Sequence, residues 1–130
     1  MTVAVHPRPR VGLGELLPWA AQRDADRTAL ITGTRSLTYG ELDALSNRVA
    51  SVLLDNGFRV GDVVSLFGQN SWQWIVAYHG VLKAGGVVNP VNVMLTGPEL
   101  RYVLDDCGAK GLFLGAPEAD RVNSHIADLP

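Results

Sequence analysis

Val63-Val64-Ser65-Leu66-Phe67, Gly68-Gln69-Asn70-Ser71, the run from Trp72 to Lys83, and Ala84-Gly85-Gly86-Val87-Val88-Asn89-Pro90 follow one another without a break, and their order decides the fold. The first five residues are a continuous, mostly apolar run that stops at a glycine, the pattern of a short strand buried on both faces. Asn70 or Ser71 can cap a helix, because a short side-chain oxygen there accepts from a free amide of the first turn. That helix runs to about Ala84, and Gly85 ends it. Val87 and Val88 make the next strand. Pro90 closes it, since proline has no amide to give to a ladder.

The same grammar extends in both directions. Upstream, Leu16 to Arg23 predicts a brief helix with Pro18 in its first turn, where a missing amide costs nothing. Ala29 to Ile31 and Arg35 to Leu37 predict a small hairpin around Thr32-Gly33-Thr34, with Gly33 in the positive-φ region. Thr38 and Glu41 form a capping box, and Leu42, Leu45, Val49 and Leu53 recur at helical spacing until Asn56-Gly57. Downstream, Thr96 to Glu99 is a second capping box with Pro98 in the first turn, opening a helix to about Asp106 that stops at Gly108. Leu112 to Leu114 is the last strand, and the tail beyond Pro117 holds one weak helical turn.

Strand, helix, strand, helix, strand with short connections predicts right-handed crossovers and an α/β fold. It is a βαβαβ arrangement: a partly parallel sheet with helices on both faces, plus the small N-terminal hairpin. Val63 to Phe67, Val87 to Val88 and Leu112 to Leu114 are expected as parallel neighbours. Leu42, Leu45, Val49, Leu53, Ile75, Leu82, Leu100 and Leu104 are expected to pack on them. Residues 1–12 read as a flexible leader and 13–130 as one domain. The helix over 71–84 is apolar on nearly every side, which predicts a second covered face and self-association of the chain through this helix.

Composition narrows the function classes. The 130 residues carry a formal charge of −2 and no Lys/Arg cluster, so a nucleic-acid partner is not expected. One cysteine, Cys107, excludes an internal disulfide and a cysteine metal cage, and points to a reducing, cytoplasmic setting. The run from Val63 to Leu82 is interrupted by Gln69, Asn70, Ser71 and Gln73, which argues against a transmembrane span.

Within the chain the search for chemistry finds little. Gly12-Leu13-Gly14 lacks a preceding strand and has Leu17 where a dinucleotide loop needs its third glycine. His6, His79 and His125 are too scattered for a metal site, and His79 reads as a helix histidine. Asp105 and Asp106, as helix neighbours, cannot share a proton. Ser46, Ser51 and Ser65 have no nucleophile elbow.

Together with Leu37-Thr38-Tyr39-Gly40-Glu41-Leu42-Asp43 and Leu95-Thr96-Gly97-Pro98-Glu99-Leu100, the stretch from Gly61 to Pro90 resembles the N-terminal region of the AMP-forming acyl-CoA synthetases, in the adenylate-forming superfamily. The likeness runs in order over about Ala29 to Phe113. It implies an enzyme that activates a carboxylic acid with ATP and Mg²⁺ to an acyl-adenylate and passes the acyl group to coenzyme A. It also implies that this chain is scaffold, a partial N-terminal subdomain of the AMP-binding domain. The phosphate loop, the ribose-binding aspartate and the catalytic lysine would lie beyond Pro130. No catalytic and no metal residue is therefore assigned, and the chain alone is expected to be inactive. The family's turn after the second strand reads here Asn89-Pro90-Val91-Asn92-Val93-Met94-Leu95-Thr96. Some relatives place a basic residue there for coenzyme A phosphates; here Met94 stands in its place, so Asn92 and Met94 are neighbours of the coenzyme A side only. Sister branches, which adenylate amino or aryl acids or act as luciferases, share this scaffold. A free-standing, non-catalytic α/β binding module is the alternative from another class.

Overall fold

The computed structural model describes residues 12–33 and 35–127. The leader assigned to residues 1–12 lies outside them except for Gly12, whose amide donates to Glu15 Oε2 at 2.9 Å. Helix α1 spans Leu16–Asp24, and a hairpin of β1 (Thr28–Thr32) and β2 (Arg35–Thr38) follows. Helix α2 is Tyr39–Asp55, β3 Val63–Phe67, α3 Trp72–Lys83, β4 Val87–Pro90, α4 Gly97–Asp106, β5 Gly111–Leu114 and α5 Ala116–Ile126.

Local chemistry sets most of these bounds. Thr38 Oγ1 accepts from the Glu41 amide at 3.2 Å while Glu41 Oε2 accepts from the Thr38 amide at 2.9 Å, the reciprocal cap expected for α2. Ser71, not Asn70, caps α3, accepting from the Trp74 amide at 3.1 Å. Gly57, Gly85 and Gly108 take φ of 82°, 80° and 60° just past α2, α3 and α4, the left-handed stop that glycine makes without strain. Gly33 does not have the positive φ expected of it. The hydroxyl of Thr32 closes the hairpin instead, accepting from the Arg35 amide at 3.2 Å and donating to the Arg35 carbonyl at 3.0 Å.

Strands β4, β3 and β5 form one parallel sheet in that order, with Val63 beside Val87 and Val64 beside Gly111. Val64 and Leu66 face α3, where they are buried with Ala77 and Val81. On the other face Phe67 is buried with Leu100 and Leu104 of α4 and Val122 of α5. Both faces of the sheet are thus covered, as the continuous apolar strands require.

Three expectations change. Leu53, Leu100 and Leu104 do pack toward the sheet, but Leu42, Leu45, Val49 and Ile75 belong to a separate cluster with Leu17, Leu37 and Val76, and Leu82 lies on the side of α1 and α2 beside Pro18 and Ala50. Helix α2 and the hairpin therefore form a further layer behind α3. That layer supplies the second cover α3 needs: none of its apolar residues is exposed, so the physical reason for self-association through 71–84 is met inside the chain. The tail, expected to hold one weak turn, forms an eleven-residue helix. Pro117 falls in its first turn, where it is tolerated, and Val122 anchors it in the core.

The contact of α2 with α3 is close because small residues line it. A Cβ at Gly80 would collide with Val49 Cγ1, and Ser46 and Ala50 are buried beside it. At its edge Lys83 Nζ meets Asp43 Oδ1 at 2.6 Å and Asn47 Oδ1 at 2.7 Å, and its side chain is 7% exposed. No helix among the described residues is long and apolar enough to cross a membrane.

Candidate functional site

The loops leaving the sheet part company at its carboxyl end. After β3 the chain turns to the α3 face; after β4 and β5 it turns to the opposite face, where α4 and α5 lie. Where the loops of adjacent parallel strands diverge to opposite faces, a crevice opens outside the strand ends, the usual ligand position of open α/β sheets. Two such crevices exist here. One, between β3 and β5, is lined by Gly68, Gln69, Ser71, Trp74, Phe113 and Gly115. The other, between β3 and β4, is a cleft of about 600 Å³ lined by Gly68, Gln69, Asn70, Trp74, Pro90 to Val93. Trp74 walls both. Its indole is half-buried and stacked on Tyr78, with centroids 5.6 Å apart and planes 15° off parallel.

Of the two residues singled out in the sequence, Asn92 lines the β3–β4 cleft, and its Oδ1 accepts from the Met94 amide at 2.9 Å. Met94 is 77% exposed on the turn and is not among the cleft residues. Arg121 of α5 donates to the Val93 carbonyl and holds the turn from below. The remaining titratable groups sit elsewhere. His79 is held below its ordinary pKa by burial first and by the Lys83 charge second, against an opposing pull from Asp43. Cys107 and Ser65 share a half-buried polar knot with Asn89, whose Nδ2 lies 3.0 Å from Ser65 Oγ and 3.4 Å from Cys107 Sγ. That knot fastens α4 to the sheet, and among the described residues no base adjoins either Cys107 or Ser65.

The chemistry of these crevices is that of a wall. Neither is lined by a lysine, arginine or carboxylate. Among the described residues no three His, Cys, Asp or Glu side chains are placed to hold a metal ion. The residues present do not fit the triphosphate and Mg²⁺ of a bound nucleotide, and no catalytic step is routed through them.

The model of one enzyme family, the AMP-binding enzymes, matches residues 17–129. The chain belongs to the AMP-binding enzyme family. A medium/long-chain-fatty-acid and 3-oxocholest-4-en-26-oate CoA ligase of Mycobacterium marinum is 34% identical over 120 residues, 92% of this chain and 22% of that protein. A 3-hydroxybenzoate CoA ligase of Aromatoleum is 34% identical over 116 residues, 87% of this chain and 22% of that protein. Among solved structures, the anthranilate CoA ligase AuaEII in complex with anthranoyl-AMP superposes with a TM-score of 0.86 at 28% identity, covering 92% of this chain and 23% of that one. The chain therefore spans about a fifth of the length of the AMP-binding enzymes it matches. Sequence reasoning missed Trp74 as a site residue; its signal was an aromatic one turn into the helix that follows a buried strand.

Proposed function

We propose that this chain, over residues 13–130, is the first, scaffolding part of an AMP-forming acyl-CoA synthetase acting on a fatty or aryl acid. Such an enzyme consumes ATP with Mg²⁺, releases pyrophosphate, and loads the acyl group onto the thiol of coenzyme A. The relatives that act on fatty, hydroxybenzoic and anthranilic acids support the substrate class. The observation that carries the scaffold reading is the uncharged lining of both crevices, which offers a shaped wall and no group able to grip phosphate or move a proton. Asn92 and Met94 border the coenzyme A side as neighbours and supply no charge to it.

The chain alone accordingly forms no acyl-adenylate and binds ATP weakly. Calorimetry with ATP and Mg²⁺ checks this, and tight one-to-one binding would overturn it. In a longer protein carrying this chain as its first part, acid-dependent ATP–pyrophosphate exchange followed by coenzyme A-dependent thioester formation is expected. Exchange without any dependence of product on coenzyme A would move the protein to a carrier-loading branch.

A further inference from the structure

We infer that Arg121 is a positioning residue for the thioester-forming step, holding the turn Asn92 to Met94 in place from α5; this rests on the synthetase reading above, in which that turn borders the coenzyme A side. One guanidinium links the ends of all three parallel strands. Arg121 stands on the helix that follows β5, its Nη2 donates to the Val93 carbonyl in the turn that follows β4, and its Cζ lies 5.6 Å from the ring centroid of Phe67, the last residue of β3. That ring is fully buried, and a cation over its face at this distance is attracted to it.

The build of the turn explains why it needs a tie. Val91, Val93 and Leu95 are half-buried, while Asn92 and Met94 between them are exposed. Val91 and Leu95 are its feet: both pack on the cluster of Phe67, Leu100 and Val122, and the Val91 amide donates to the Leu66 carbonyl at 3.0 Å. Within the tip, the Leu95 amide donates to the Asn92 carbonyl at 3.1 Å and the Met94 amide to Asn92 Oδ1. These internal bonds set the shape of the tip and not its place over the sheet end. Arg121 fixes the place.

Holding the turn comes at the expense of a more ordinary pairing. Glu118 precedes Arg121 by three residues on α5, the spacing at which opposite charges meet on a helix surface. Arg121 reaches instead to a neutral carbonyl, and Glu118 Oε2 is left buried with no donor among the described residues. A guanidinium placed for stability alone would take the carboxylate. This one takes Val93, which walls the β3–β4 cleft.

Arg121→Met keeps the stem and loses the donor, whereas Arg121→Lys keeps a donor. In the 130-residue chain, backbone order parameters from NMR relaxation should fall at Asn92 to Met94 in Arg121→Met, hold through α4, and recover in part in Arg121→Lys. In a longer protein that shows acid-dependent ATP–pyrophosphate exchange, Arg121→Met should raise KM for coenzyme A by about tenfold to a hundredfold, the scale of a displaced binding element. Exchange, which needs no coenzyme A, should be unchanged, and Arg121→Lys should lie between. Should Arg121→Met fail to fold, Arg121→Lys reads the same split on a smaller scale. A merely structural role lowers both half-reactions together, and that result overturns the inference. A turn that stays ordered in Arg121→Met overturns it too, as does a loosened turn with KM for coenzyme A unmoved; in both cases the synthetase reading stands. A wild-type protein without exchange sinks that reading, and the positioning role with it.

Discussion

Glu118 is the least comfortable of the described residues: it is 4% exposed, and among them its Oε2 meets no hydrogen-bond donor. A position in the first turn of α5 favours a negative charge by about 0.3–1 kcal/mol, while an unsatisfied buried polar group costs about 1–3 kcal/mol and a charged one more. The second effect wins, so Glu118→Met, which keeps the side-chain volume and removes the orphaned oxygen, should raise stability by about 1 kcal/mol, read as a higher urea midpoint at unchanged slope. A lower midpoint would mean that the carboxylate has a partner in solution. His79 carries the pH dependence. Burial and then the Lys83 charge keep its pKa below the ordinary 6.5, so the folded state binds this proton less readily than the unfolded chain. The stability tied to neutral His79 is full above pH 6.5 and is lost as pH falls through the lowered folded value. Glu99, held below its ordinary 4.5 by the Thr96 amide and then the Thr96 hydroxyl, adds a further loss in the same direction at more acid pH. His79→Gln should flatten the decline that begins below pH 6.5 and leave the one below pH 4.5 in place. An unflattened curve in urea titrations across that range would remove His79 from the account.

At the scale of elements, the α2–α3 contact is the most sensitive joint. Gly80→Ala gains about 1 kcal/mol of helix propensity but drives a methyl into Val49, which is β-branched and stiff in its helix, with the Ser46 carbonyl 3.1 Å away on another side. Overpacking of this kind costs about 1–3 kcal/mol, and the blocked escape puts it at the upper end, so a net loss of about 1–2 kcal/mol is expected in thermal or urea unfolding. Thr38→Ala removes one half of the α2 cap and should cost about 1 kcal/mol. These elements were legible in sequence where their signals are local. Val63 to Phe67 ends at a glycine, Thr38 with Glu41 and Ser71 with Trp74 are three residues apart, and each falls where expected. What α2 packs against was not legible, because the spacing of Leu42, Leu45 and Val49 names a buried face without naming its partner. Helix α5 escaped for another reason: it opens on Ala116-Pro117 and offers only Val122 and Ile126 as inward apolar anchors, too few for a periodic signal.

For the whole molecule, parallel pairing followed from alternating elements with short links, whereas the strand order β4-β3-β5 and the crevices did not, since the crevices are made by Gly68, Trp74 and Pro90 to Val93 meeting across the sheet end. Leu66, at 1% exposure in the central strand, is the single position through which the sheet core can best be tested. Leu66→Ala should cost about 2–5 kcal/mol, and a loss below about half a kcal/mol would contradict its burial. Leu45 is only partly buried in the outer cluster, so its truncation should cost less than that of Leu66.

Helix α3 contributes Val76 to one apolar cluster and Ala77 with Val81 to another, so a single element is a wall of both. Neither half of the chain can breathe open without stripping this shared wall. Amide hydrogens in the middle of α3 should consequently exchange with deuterium only through global unfolding, at the slowest rate in the chain, while those of α5, which faces one cluster alone, escape earlier. Two of the three clusters turn on one axle, and those two should come apart in one step.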